Sequence, residues 1–298
     1  MPYKSKHLLI SLSQLIGVFL LLSQNDKAIA QELFPVQQAG KWGYQTAQGN
    51  VVITPQYEFA KRFKDQYAIV ANQNHLGVID KNNRLIIPFQ YDFIDYLDKD
   101  RFEFGFRDTY FGEYKVGVIN AQKQVLIKPI FRSINWRANH YVVQTTRDSL
   151  ISSGEFRGSR GVITKYGLYD LAGKIVIPCK YDYLSWLDDS LLVMQLNNQQ
   201  ALFNVTGQAL TPFEYKVISE FHEGLARVVK GDLHGFINHA GKLVIPPRFL
   251  LSEPFTNGLA MVMIDNKWGA IDHQGCYSIE PKYSFDEVKS MLKEQPKN

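Results

Sequence analysis

The chain has 298 residues, 45% hydrophobic and 13% aromatic, with 33 Lys and Arg set against 29 Asp and Glu. A net charge of +4 with no run of like charge argues against a dedicated nucleic-acid binder and against a charged interaction tail. Two cysteines, Cys179 and Cys276, are too few to form a disulfide framework, and two unpaired thiols are expected.

Residues 1–30 read as a secretory signal peptide. Lys4, Lys6 and His7 precede an apolar stretch from Leu8 to Leu22, and Ala28-Ile29-Ala30 supplies a small-residue cleavage site. The apolar stretch includes Ser11, Ser13 and Gln14 and falls short of the ~20 residues a spanning helix needs; an uncleaved anchor is the alternative. Cleavage near Ala30 would make the protein periplasmic or extracellular, with no integral membrane span. It would remove three lysines and one aspartate, taking the charge from +4 to +2.

From residue 31 to residue 283 the chain repeats itself. A Tyr or Phe falls fourteen residues after a position that is almost always Gly: Gly43/Tyr57, Gly77/Tyr91, Gly117/Phe131, Gly167/Tyr181, Ala201/Tyr215, Gly235/Phe249 and Gly269/Tyr283. Successive anchors lie 34, 40, 50, 34, 34 and 34 residues apart, and a fixed period in this range signals an array of like supersecondary units. In each unit a short apolar run, such as Leu259 to Ile264, turns through a polar pair (Asp265-Asn266) into a second strand across the anchor.

Three residues past the anchor stands Asp80, Asn120, Asp170, Asn204, Asn238 or Asp272, with Gly three further on in five of the seven units. The Asx side chain accepts a backbone N–H two residues on, and Gly supplies positive φ, so the pair predicts a tight turn. A calcium loop would need several more oxygen side chains at alternate positions, which Leu171-Ala172 and His239-Ala240 do not supply. A third apolar run follows and meets a Pro: Pro55, Pro88, Pro129, Pro178, Pro212, Pro246 or Pro281. That Pro slides between eleven and twelve residues past the anchor while the aromatic stays at fourteen, which predicts a bulge.

Lys41-Trp42-Gly43-Tyr44 and Lys267-Trp268-Gly269-Ala270, with the downstream Pro-x-Tyr, resemble the WG (or KWG) repeat family over about residues 33–283. Only two of seven units keep the Trp; Leu76, Val116, Tyr166, Gln200 and His234 occupy its place elsewhere. The resemblance implies an all-β repeat array and carries over no catalytic residue. Trp42, Trp268 and the seven aromatics are the expected structural core of the repeat.

The fold expected is therefore all-β, a tandem array of seven ~34-residue antiparallel meander units, in an open superhelix. A seven-bladed propeller is the alternative, requiring a fourth strand such as Tyr181 to Trp186 in each unit. Residues 284–298 form a cap or tail. Ser284 and Glu287 make a capping box, and Phe285, Val288 and Leu292 share one face of a short helix that covers the last unit.

No catalytic signature is present, no cofactor is implied, and the scattered histidines define no metal site; His239 and His273, at equivalent turn positions, read as solvated. Function is expected where the period breaks. The 40- and 50-residue intervals lengthen the same hairpin in adjacent units, at 101–115 and 147–165, and such insertions are expected to project side by side. Phe102, Phe104 and Phe106 share one face and are expected to pack on the neighbouring insertion. Arg107, Tyr110, Phe111, Tyr114, Arg157 and Arg160 are the candidate binding residues. The first reading is an exported, non-enzymatic scaffold for a protein or cell-envelope component; the second is a carbohydrate-binding module using exposed aromatics.

Overall fold

The computed structural model describes residues 32–107, 114–150 and 160–294, without the side chains of 148–150, 160 and 294. The described residues form seven antiparallel sheets and one helix, and none of the sheets closes into a barrel. They divide into two compact units, Met1–Pro129 and Ile130–Asn298, and each is described by itself.

In the first unit, sheet 1 is β1 (Phe34–Gln38), β2 (Lys41–Gln45) and β3 (Val51–Tyr57). Sheet 2 follows as β4 (Phe59–Ala60), β5 (Tyr67–Asn72), β6 (His75–Asp80) and β7 (Leu85–Tyr91). Sheet 3 holds β8 (Phe93–Asp98), β9 (Arg101–Arg107), β10 (Tyr114–Asn120) and β11 (Val125–Phe131), whose end passes into the second unit.

Sheet 4 is β12 (Ser133–Arg137), β13 (His140–Leu150), β14 (Arg160–Asp170) and β15 (Ile175–Tyr181). Sheet 5 has β16 (Tyr183–Trp186), β17 (Leu191–Leu196) and β18 (Gln199–Asn204). Sheet 6 is β19 (Val217–His222), β20 (Leu225–Lys230), β21 (Leu233–Asn238) and β22 (Leu243–Phe249). Sheet 7 is β23 (Leu251–Ser252), β24 (Ala260–Ile264), β25 (Lys267–Ile271) and β26 (Tyr277–Tyr283), followed by helix α1 (Phe285–Glu294).

The complete unit thus has four strands, and the fourth is continuous with the first strand of the next sheet. β7 ends at Tyr91 and β8 begins at Phe93; one residue, Asp92, is the pivot. β3/β4, β15/β16 and β22/β23 repeat the arrangement around Glu58, Asp182 and Leu250.

Local chemistry sets the turns. The β5–β6, β17–β18 and β24–β25 hairpins turn through two residues, each with positive φ: Gln73-Asn74, Asn197-Asn198 and Asp265-Asn266. That is the geometry whose twist matches the flanking strands. In the next turn, Asp80 Oδ1 accepts the N–H groups of Asn82 and Arg84 at 2.9 and 2.8 Å. Asp170, Asn204, Asn238 and Asp272 do the same, and Thr46 takes the role in the first unit through its hydroxyl. These oxygens are engaged by backbone donors, as the turn reading requires.

The bulge is present, and it explains the anchor. In five units the residue before the anchor pairs with the aromatic fourteen residues past the anchor: Trp42 with Tyr57, Leu76 with Tyr91, Tyr166 with Tyr181, His234 with Phe249, Trp268 with Tyr283. A register shift between these pairs and the next brings the fourth strand's backbone over the glycine. A Cβ on Gly43, Gly77, Gly117, Gly167, Gly235 or Gly269 would sit 2.3 to 2.8 Å from the carbonyl oxygen ten residues on. Ala201 is the exception, and there the fourth strand is lost. In place of a ladder the segment forms the isolated bridges Phe203–Ala209 and Gln200–Tyr215, Leu210 N–H donates to the Leu202 carbonyl at 2.8 Å, and Thr211 Oγ1 accepts the Leu202 N–H at 2.9 Å.

The core lies between successive sheets. Tyr44, Ile53 and Tyr57 meet Ala68, Val70 and Ile79; Leu168, Ile177 and Tyr181 meet Leu192, Met194 and Phe203; Phe236, Ile245 and Phe249 meet Phe255, Val262 and Ile271. Six of the seven period aromatics are buried, while Tyr283, Trp42 and Trp268 are half-buried. Helix α1 closes the last face: Val288 is buried with Met261 and Ala270, and Phe285 meets Trp268 edge-on at 5.0 Å. The Ser284 N–H and hydroxyl donate to Glu287 Oε2 at 2.7 and 2.8 Å, completing the capping box at its start. Both cysteines are free thiols.

Candidate binding surface

The two long hairpins are built differently. β9 and β10 run in register from Asn120↔Arg101 to Tyr114↔Arg107. β13 and β14 carry eleven residues each and stay paired from His140↔Asp170 to Leu150↔Arg160. β15 pairs with β14 no further than Tyr166↔Tyr181, so beyond Lys165 the hairpin is a two-stranded ribbon, with Val162 exposed. The two hairpins stand at equivalent places in sheets 3 and 4, with loops at 108–113 and 151–159 that lie outside the described residues.

Tyr110, Phe111 and Arg157 fall in those loops and so lie outside the described residues. Arg160 opens β14, with its side chain undescribed. Arg107 and Tyr114 face each other across the hairpin, both exposed. Tyr114 remains 39% exposed while resting on Phe93, ring centres 5.4 Å apart. Gly105 pairs with Phe93, so the two rings meet where the central strand carries no side chain.

The expectation for the alternating phenylalanines is corrected. Phe102 and Phe104 pack on the preceding sheet. Phe102 meets Tyr67 and Tyr96 edge-on at 5.5 and 5.7 Å, and Phe104 meets Tyr91 at 5.0 Å. Both are buried, whereas Phe106, one pleat further out against Tyr91, is 43% exposed. The strand carries one apolar face from core to surface, which alternation alone does not reveal.

Acidic pivots between sheets hold the outer ends of hairpins: Asp92 grips β9, and Asp182 and Glu58 grip the β17–β18 and β5–β6 turns. Asp92 Oδ2 accepts the Arg107 N–H at 2.9 Å, and its Oδ1 lies 3.5 Å from His75 Nδ1. Asp182 accepts the Asn197 N–H at 2.8 Å and pairs with Lys165, which chiefly holds its carboxyl below the usual carboxylate range. Glu58 accepts the Asn74 N–H at 3.0 Å, with Lys41 at 3.9 Å. The available signal was an acid immediately after the period aromatic in three units.

In two units, the position before the anchor holds a polar acceptor. Gln200 Oε1 accepts the Ile218 N–H at 2.7 Å; His234 Nδ1 accepts the equivalent Ser252 N–H at 3.1 Å. Burial, and then the charge of Arg227, push the His234 imidazole below its ordinary value. The unfolded chain therefore binds this proton more readily, and stability is lost as pH falls below ~6.5 toward the lowered folded value. His234→Gln keeps the acceptor without the titration. A shallower fall in Tm between about pH 7 and pH 5 than in the wild type is expected by calorimetry; an unchanged slope would assign the dependence elsewhere.

The WG containing repeat model matches this sequence at residues 42–74, 77–104, 166–199, 202–233 and 235–268, more than half of the chain. The chain belongs to the WG repeat family. The WG matches skip 105–165, which takes in most of both long hairpins. No curated protein matches the sequence significantly. Among solved structures, a eukaryotic initiation factor is 11% identical, covering 83% of this chain and 84% of its own at a TM-score of 0.29. The Dos1 propeller is 10% identical, covering 78% and 72% at 0.29. A protein of unknown function from Bacteroides caccae is 14% identical, covering 72% and 92% at 0.22. Such TM-scores set no overall shape for this WG-repeat chain.

Proposed function

We propose that the protein is an exported, non-enzymatic WG-repeat scaffold, cleaved near Ala30, that binds a protein or cell-envelope component through the hairpins at 101–115 and 147–165. One observation carries the reading: the period lengthens at the equivalent hairpin of two consecutive repeats, where the family matches also lapse. Loops carried on a rigid repeat scaffold are where binding residues concentrate. The test is capture from an envelope extract, comparing the wild type with a variant whose two hairpins are cut back to the 34-residue register. The trimmed variant is expected to hold the captured component at least roughly tenfold more weakly; equal retention sinks the proposal.

The Tyr114–Phe93 pair favours a second reading, carbohydrate binding, because exposed aromatic rings stack on apolar sugar faces. A glycan array should then show binding that Tyr110→Ala with Phe111→Ala abolishes, accompanied by tryptophan quenching in the wild type.

A further inference from the structure

Sheets 5, 6 and 7 carry one arrangement twice, at places equivalent in the repeat. In the turn between β21 and β22, the His239 imidazole lies flat on Phe221, centres 3.9 Å apart and planes 15° apart. One period later His273, in the turn between β25 and β26, lies on Phe255 at 4.4 Å and 16°. His239 is exposed, as expected, with one ring face on Phe221, whereas His273 is half-buried.

His273 is also faced by an acid from the preceding sheet. Glu223, in the turn between β19 and β20, places Oε2 3.4 Å from His273 Nε2 and accepts the Gly258 N–H at 2.9 Å. One carboxylate of sheet 6 thus reaches two turns of sheet 7. Asp188, in the turn between β16 and β17, accepts the N–H groups of Ser190 and Leu191 at 2.6 and 2.8 Å. Burial opposes its ionisation, but the Ser190 and Leu191 hydrogen bonds, aided by the charge of His239, hold its carboxyl below the usual range.

Other charges at these sites are committed elsewhere. Asp272, beside His273, holds the N–H groups of Gln274 and Cys276, and Arg248 donates to the Gly275 carbonyl at 2.7 Å. Asp189, next to Asp188, lies 3.8 Å from Arg137 Nε, and the residue preceding His239 is the neutral Asn238.

We propose that His273 is a proton-operated staple that tightens sheet 7 on sheet 6 as pH falls through the imidazole range. Protonation adds attraction to the facing carboxylate and to the ring beneath. The His273 and Glu223 side chains are 34% and 36% exposed, so solvent screens the pair and the tightening is local to the turns. It opposes the response of His234, which favours its neutral form.

NMR titration of the histidine ring protons between about pH 5 and pH 8 tests this directly. Glu223→Gln removes the charge yet leaves an oxygen for the Gly258 N–H, so the turn can keep its shape. The His273 midpoint is expected to fall by roughly half a pH unit or more in that variant, with His75 and His140 unmoved. An unmoved His273 midpoint overturns the proposal, as does an equal shift at His75 and His140, which would mark a change of the whole fold. As a second readout, Gly258 amide exchange should become more protected on acidification in the wild type than in His273→Gln; equal protection in both overturns the staple.

Discussion

Gly235→Ala is expected to destabilise the protein by about 2 kcal/mol, through overpacking rather than strain at φ. The added Cβ would sit 2.6 Å from the Ile245 carbonyl oxygen and 2.7 Å from the Pro247 nitrogen, all backbone that cannot rotate away. Gly258 is the control. Its φ is +84° and nothing lies within 4 Å of its added Cβ, so Gly258→Ala should cost only the left-handed penalty, about 1 kcal/mol. Urea unfolding distinguishes the two. Equal losses would show that close approach is not what requires glycine at the anchor. Ala201 shows how the repeat accommodates a methyl group there: the facing segment gives up its strand, and Thr211 supplies the acceptor instead.

Phe104→Ala should cost about 3–5 kcal/mol, as large-to-small changes in a closed core do. Its ring is 2% exposed and touches Tyr91 in the layer between sheets 2 and 3. Phe106→Ala, on the same face two residues along, should cost less than about 1 kcal/mol, because its ring is already largely in solvent. Thermal unfolding of the two variants locates the boundary between core and candidate surface along β9. Were Phe106→Ala as costly as Phe104→Ala, the outer hairpin would belong to the core and the proposed binding surface would contract to the loop. Arg107 and Tyr114 stand just past that boundary, which is why they remain the described candidates.

Parts of the candidate surface were legible because an interruption in a period shows without any structure. The insertion hairpins, their aromatic content and their equivalence all follow from counting. Their burial did not follow, because Phe102, Phe104 and Phe106 alternate identically whether the face meets a core or water. Only the reach of sheet 2 beneath β9 separates the first two from the third. Likewise, Asp92 reads in sequence as an ordinary acid after an aromatic. Its hold on Arg107, fifteen positions along, comes from the intervening chain folding back.

The sequence by itself determined everything that depends on contacts a few residues apart. The Asx turn, the paired left-handed turn residues, the capping box and the constant fourteen-residue spacing each satisfy hydrogen bonds or sterics within a single hairpin, so each unit writes them out again. Tertiary structure alone decided how one extended run is divided between two sheets at Asp92, Asp182 and their equivalents. It also decided which aromatics lie between layers, and that His239 and His273 rest on phenylalanines, with Glu223 of the sheet before facing His273. Those outcomes depend on packing between units, and the burial of one layer against the next is a property of the stack rather than of any repeat read alone.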